Sequence, residues 1–82
     1  MLSTDAKYII FDTGLNYVPV IFPNHVQHGS MALMLGQWNP ERAGFVRIDD
    51  NGSVVAHGES ISLMLKSNPE LDSKMLSKLF NK

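Results

Sequence analysis

Eighty-two residues with a net charge of −1, 44% hydrophobic and 18% charged, describe one folded domain rather than a disordered segment. Seven Lys and Arg against eight Asp and Glu leave no broad basic footprint, so nucleic acid is not an expected partner. No cysteine means no disulfide staple and no thiolate metal site, and no apolar run approaches the roughly 18 residues that span a membrane.

Residues 1–7 (MLSTDAK) lack the basic and long apolar regions of a signal peptide. With the absence of cysteine this makes a cytoplasmic protein the expectation. Residues 7–11 (KYIIF) are rich in aromatic and β-branched side chains and end at the turn signal Asp12-Thr13-Gly14. Residues 16–23 (NYVPVIFP) form a second strand, and the two read as a hairpin. Pro19 has no N–H to give to a ladder, which places that strand at an edge or at a bulge.

Asn24 is a candidate helix cap, with the helix running over 25–35 and stopping at Gly36. Gly29 and Ser30 weaken its middle, and a start at Ser30 is the alternative. Either way Met31-Ala32-Leu33-Met34-Leu35 is apolar all round, the pattern of a helix covered on every side. Residues 37–43 read as a connecting loop, in which Asn39-Pro40-Glu41 is able to start a brief helical turn.

The next hairpin joins 45–48 to 53–57 around Asp49-Asp50-Asn51-Gly52. A type I turn with Gly52 left-handed pairs Ile48 with Val54 and Val46 with Ala56 and gathers those four apolar side chains on one face. A two-residue Asn51-Gly52 turn mixes the faces. Gly58-Glu59 then breaks or bulges the strand. Residues 60–65 (SISLML) alternate with period two, which predicts a strand, with a short helix as the alternative.

The last element is a helix capped by Asn68, with Pro69 at its first position and Glu70 and Asp72 near its positive end. Leu71, Met75, Leu76, Leu79 and Phe80 form its apolar stripe, and Lys74 and Lys78 lie off it. The whole reads as an α+β fold in one domain, 1–82: an antiparallel sheet of four to five strands with two helices, in the order β-β-α-β-β(-β)-α.

Motifs for chemistry are sparse. His25 and His28, three apart, would share one helical face and with His57 or Glu59 make a metal site, but nothing resembles HExxH. Ser30 and Ser60 each lie near a glycine without forming a nucleophile elbow. The Asp49–Gly52 run lacks the rest of a calcium loop, and no phosphate-binding glycine motif occurs. These observations imply no catalytic residues, no cofactor and no metal.

Five methionines are more telling, since the flexible thioether serves both irregular cores and adaptable binding surfaces. Trp38, in a polar loop, either plugs the core edge or anchors an interface. The apolar segments exceed what so small a core can hide, which points to a homodimer with Met31, Met34 and Trp38 at or beside the interface.

The segments HGSMALML, AGFV and GESISLMLKSNPELDS resemble parts of small bacteriophage- and prophage-encoded proteins of unknown function, over residues 20–80. The resemblance implies a phage-derived accessory protein that binds a host or phage protein, an inhibitor being one form of it. A small-ligand or metal-binding protein using the histidines, and a weak nucleic-acid-binding regulator, are the alternatives.

Overall fold

In the computed structural model, which describes residues 5–80, the chain runs β1 (Ala6–Asp12), β2 (Tyr17–Phe22), α1 (His28–Met34), β3 (Asn39–Ile48), β4 (Val54–His57), β5 (Glu59–Ser60), β6 (Leu65–Lys66) and α2 (Pro69–Phe80). The first four strands form one antiparallel sheet in the order β2-β1-β3-β4, and β5 pairs with β6 in a second, two-stranded sheet. This is the expected α+β order, with the last strand divided in two.

β1 is an inner strand, and that explains its continuous apolar run. Tyr8 and Ile10 point to one face, Ile9 and Phe11 to the other, and all four are fully buried. Burial of each such side chain contributes about 1.5–3 kcal/mol. The first face carries Ala6, Val46 and Ala56 under Leu76 of α2. The second carries Phe22 and Ala43 under Met31, Ala32 and Leu35 of α1 and Leu63 and Leu65 of the β5–β6 hairpin. The sheet is therefore covered on both sides.

At each sheet edge one outward donor is removed or occupied. In the β1–β2 hairpin the Thr13 N–H donates to the Asn16 carbonyl at 3.0 Å. Counting from that pair along the register, Phe11 with Val18 and Ile9 with Val20 exchange ladder bonds, while Pro19 faces Ile10 at a non-bonded position. The N–H that Pro19 lacks would thus point outward, as the sequence anticipates for an edge strand. At the other edge the outward Ala56 N–H donates to Ser73 Oγ of α2 at 2.9 Å.

The β3–β4 hairpin adopts the first of the two registers, Ile48 opposite Val54 and Val46 opposite Ala56. Gly52 is left-handed at φ +85°, and its N–H donates to the Asp49 carbonyl at 2.9 Å.

Three expectations are corrected. Residues 37–43 are not all loop, because β3 already begins at Asn39 and pairs Asp12 with Asn39 and Phe11 with Pro40. The proline is tolerated because the register shifts beside it, and β4 partners only Phe45–Ile48, so no ladder needs its missing N–H. Residues 60–65 are not one strand. The buried Ser60 hydroxyl accepts the Leu63 N–H at 3.2 Å and the Met64 N–H donates to the Ile61 carbonyl at 3.1 Å, which closes a turn where alternation suggested extension.

The third correction concerns α1, which begins at His28 after Gln27 and has no side-chain cap. Asn24 donates instead to the Asp5 carbonyl at 2.6 Å, and Gly36 is not among the left-handed glycines. At α2 the expected cap holds, with Asn68 Oδ1 accepting the Leu71 N–H at 3.2 Å. The buried stripe of α2 is narrower than the apolar one. Leu76 and Asp72 are enclosed and Met75 packs beside them, whereas Leu71, Leu79 and Phe80 remain 44–46% exposed.

Candidate interaction surface

The stretches 26–40 and 60–65 hold no Asp, Glu, Lys or Arg. The fold brings them together on the same face of the sheet. Gly29 of α1 abuts the β5–β6 turn, where a Cβ on it would lie 3.7 Å from Ser62 Oγ. Their inner side chains, Met31, Ala32, Leu35, Leu63 and Leu65, share one cluster with Phe11 and Phe22. Their outer ones have no cover. Leu33 is 84% exposed, Met34 74%, Ile61 84% and Met64 89%. Leu33 and Met34 on α1 and Ile61 and Met64 in the β5–β6 turn are thus exposed large apolar side chains on the two segments that cover this face of the sheet.

Of the residues singled out in the sequence, Met34 lies in this surface, while Met31 and Trp38 are half-buried beneath its margin. The Trp38 ring leans on Phe11 with centroids 5.8 Å apart and the planes at 58°. Trp38 therefore plugs the core edge, and with Met34, Leu35, Gly36 and Gln37 it lines a shallow cavity of about 230 Å³. Leu33, Ile61 and Met64 join the surface without having been anticipated. Reading 60–65 as a strand placed Ile61 on the same face as Leu63 and Leu65, and the turn separates them.

Met64 has an unusual backbone. Its φ is +57°, and the other left-handed residues described are the glycines Gly14, Gly52 and Gly58. A side chain in that conformation costs about 1–2 kcal/mol relative to an ordinary one. In that conformation the Met64 N–H donates to the Ile61 carbonyl at 3.1 Å, while the side chain is the most exposed of the four.

The histidines are not brought together as a ligand set. His25 is exposed and precedes α1, so it does not share a helical face with His28. His28 is buried, its Nε2 donates to the Gly44 carbonyl at 2.9 Å, and its ring meets Phe22 and Phe45 edge-on at 5.5 and 5.7 Å. Burial, with the Lys7 charge acting in the same direction, pushes its pKa below the ordinary 6.5. His57 stacks on Phe45 at 6.0 Å, and its Nε2 lies 2.7 Å from Asp5 Oδ2 but off the line of a hydrogen bond. Among the described residues no three His, Asp or Glu side chains converge as metal ligands.

A buried polar cluster sits on the opposite face of the sheet. Asp72, fully enclosed, accepts from the Tyr8 hydroxyl at 2.5 Å, Arg42 Nε at 2.6 Å and the Asn68 N–H at 2.9 Å. Arg42 also reaches Met75 Sδ at 3.4 Å and lies over the Tyr17 ring at 5.8 Å. Burial first, and the bond to Asp72 second, raise the Tyr8 phenol well above its ordinary range. The one sequence signal for this cluster is a tyrosine within an apolar strand, whose hydroxyl needs a partner. Every group in it is occupied in tying α2 to the sheet.

Compared with known proteins, the chain matches no family model, no curated protein and no solved structure.

Proposed function

We propose that this chain is a non-enzymatic protein-binding module that acts as a homodimer, and that the copies meet through the surface of α1 and the β5–β6 turn. The observation that carries the reading is the convergence of the two segments without Asp, Glu, Lys or Arg, with Leu33, Met34, Ile61 and Met64 left uncovered. In a two-fold contact the same patch serves on both copies, and exposed apolar side chains can cover one another there without ion pairing. The donor missing at Pro19 and the one occupied at Ala56 make added strands less favourable at both edges. The buried titratable groups, Asp72, Tyr8 and His28, are each engaged in internal hydrogen bonds, which supports a binding role over a catalytic one.

The phage resemblance of the sequence gives the setting for this proposal: a small accessory protein whose dimer engages a host or phage protein. Sedimentation equilibrium at tens of micromolar tests the assembly. The wild type is expected to have twice the 9.1 kDa chain mass, and Met34→Glu is expected to shift toward the monomer.

A further inference from the structure

We infer that Asn51 is a site of spontaneous modification, where deamidation through a cyclic imide rewrites the β3–β4 turn, and that the folded turn holds this reaction back. The reaction needs no partner but water. The Gly52 backbone nitrogen gives up its proton and attacks Asn51 Cγ, a C–N bond forms, and the side-chain amide leaves as ammonia. Water then opens the ring at either carbonyl. The product is aspartate, or isoaspartate in which the chain runs through the former side chain, with one water consumed for the ammonia released. Such an attack demands an unhindered N–H on the following residue. Asn51 is the one asparagine followed by glycine, which has no side chain to crowd the approach. Asn16, Asn24 and Asn81 precede Tyr17, His25 and Lys82, and Asn39 and Asn68 precede prolines, whose nitrogen carries no proton.

Asn51 and Gly52 are exposed at the tip of the hairpin, open to water. Both reacting groups are nevertheless held. The Gly52 N–H donates to the Asp49 carbonyl at 2.9 Å. Asn51 Oδ1 accepts the Ser53 N–H at 3.3 Å, and Asp49 Oδ1 accepts the same N–H at 2.9 Å. Attack must first free the Gly52 nitrogen and swing the Asn51 amide toward it, so the reaction runs from a locally opened tip. Exposed turn bonds of this kind open well before a domain unfolds. The product cannot close the same turn. Isoaspartate inserts one more atom into the backbone ahead of Gly52, which enlarges the ring closed by the bond to Asp49 and moves Ser53 off its acceptors. A further carboxylate also arises beside Asp49 and Asp50, where like charges repel. The register that sets Ile48 opposite Val54 starts at this turn, and Val54 packs against the core beneath α2. Modification of Asn51 is therefore an irreversible loosening of one edge of the sheet.

The test follows each asparagine by peptide mapping and mass spectrometry during incubation at neutral pH, in native protein and in urea. In urea Asn51 is expected to convert ahead of every other asparagine. In the native protein it should convert about tenfold or more slowly, the scale set by the turn bonds that must open. Asp49→Ala removes the side-chain acceptor of the Ser53 N–H and should speed the native reaction several-fold, with circular dichroism showing the variant folded. Asp49→Asn keeps an acceptor oxygen and should keep the wild-type rate. The isoaspartate form, separated by chromatography, should melt below the unmodified protein. Native conversion as fast as that in urea overturns the inference, because the turn then guards nothing, and so does earlier conversion at another asparagine. An unchanged rate in folded Asp49→Ala, or an unchanged Tm in the isoaspartate form, overturns it as well. If Asp49→Ala does not fold, the native and urea rates of the wild type decide alone.

Discussion

Asp72 shows how much a single residue holds together. Placed at the first turn of α2, it satisfies the Asn68 N–H, and the same carboxylate takes Tyr8 from β1 and Arg42 from β3. Sequence reasoning assigned it to the helix dipole, which is correct but local, because its long-range partners lie 64 and 30 residues away. Asp72→Ala leaves the Tyr8 hydroxyl and the Arg42 guanidinium without their acceptor. Breaking a buried pair costs about 3–5 kcal/mol, with the lower end expected because Arg42 keeps 20% of its side chain in solvent. That is a large part of the 5–15 kcal/mol available to a domain, and urea unfolding measures it.

Two buried residues, His28 and Tyr8, set a pH dependence. His28 has a folded pKa below 6.5, so on acidification the unfolded chain binds the proton first. Stability is full above pH 6.5 and declines as the pH falls through 6.5 toward the folded pKa. Tyr8 acts at the other end, with a folded pKa above its ordinary 10.0. Its contribution is full below pH 10 and is lost as the pH rises beyond it. Unfolding free energy measured across pH should therefore fall at both ends, and His28→Gln should flatten the acid limb.

At the scale of elements, what could be read depended on whether local chemistry and tertiary context agreed. Asp49-Asp50-Asn51-Gly52 dictates its own turn, and that turn dictates the β3–β4 register, so both were legible. Asn68-Pro69 likewise announces α2. Asn39-Pro40 carries equally strong loop chemistry, yet β1 recruits it into β3 where no neighbour needs the missing donor. The 60–65 alternation was misleading for the converse reason, since the Ser60 hydroxyl closes a turn that the apolar pattern conceals. Pro19 was legible as an edge marker, and its role can be tested directly. Pro19→Val restores an outward N–H on the exposed margin of β2. The variant is expected to form concentration-dependent higher assemblies, visible by light scattering, while the wild type does not grow beyond a dimer.

The whole molecule divides its two faces between different tasks. Beneath α2 the sheet is held by Leu76 and the Asp72 cluster, while Leu71, Leu79 and Phe80 of the helix stay partly exposed. Beneath α1 and the β5–β6 turn the cover is thin: a seven-residue helix and a two-residue ladder, with apolar side chains both against the sheet and on the outer side. The surplus of apolar residues was visible in the sequence, but the composition of the outer patch was not. Met34 was anticipated, whereas Leu33, Ile61 and Met64 became exposed only through the short span of α1 and the turn at 61–64. Trp38, the most conspicuous residue of the sequence, is half-buried against Phe11 instead.

Sedimentation equilibrium of the wild type beside Leu33→Glu is the most direct test of self-association through this surface. Leu33 is 84% exposed in the monomer, so the glutamate should leave folding intact, with a change in unfolding free energy of less than about 0.5 kcal/mol. The account predicts a wild-type dimer of twice 9.1 kDa and a folded Leu33→Glu monomer at the same concentration. A wild type that sediments at 9.1 kDa at tens of micromolar, or a Leu33→Glu variant that dimerises as tightly as the wild type, would contradict it.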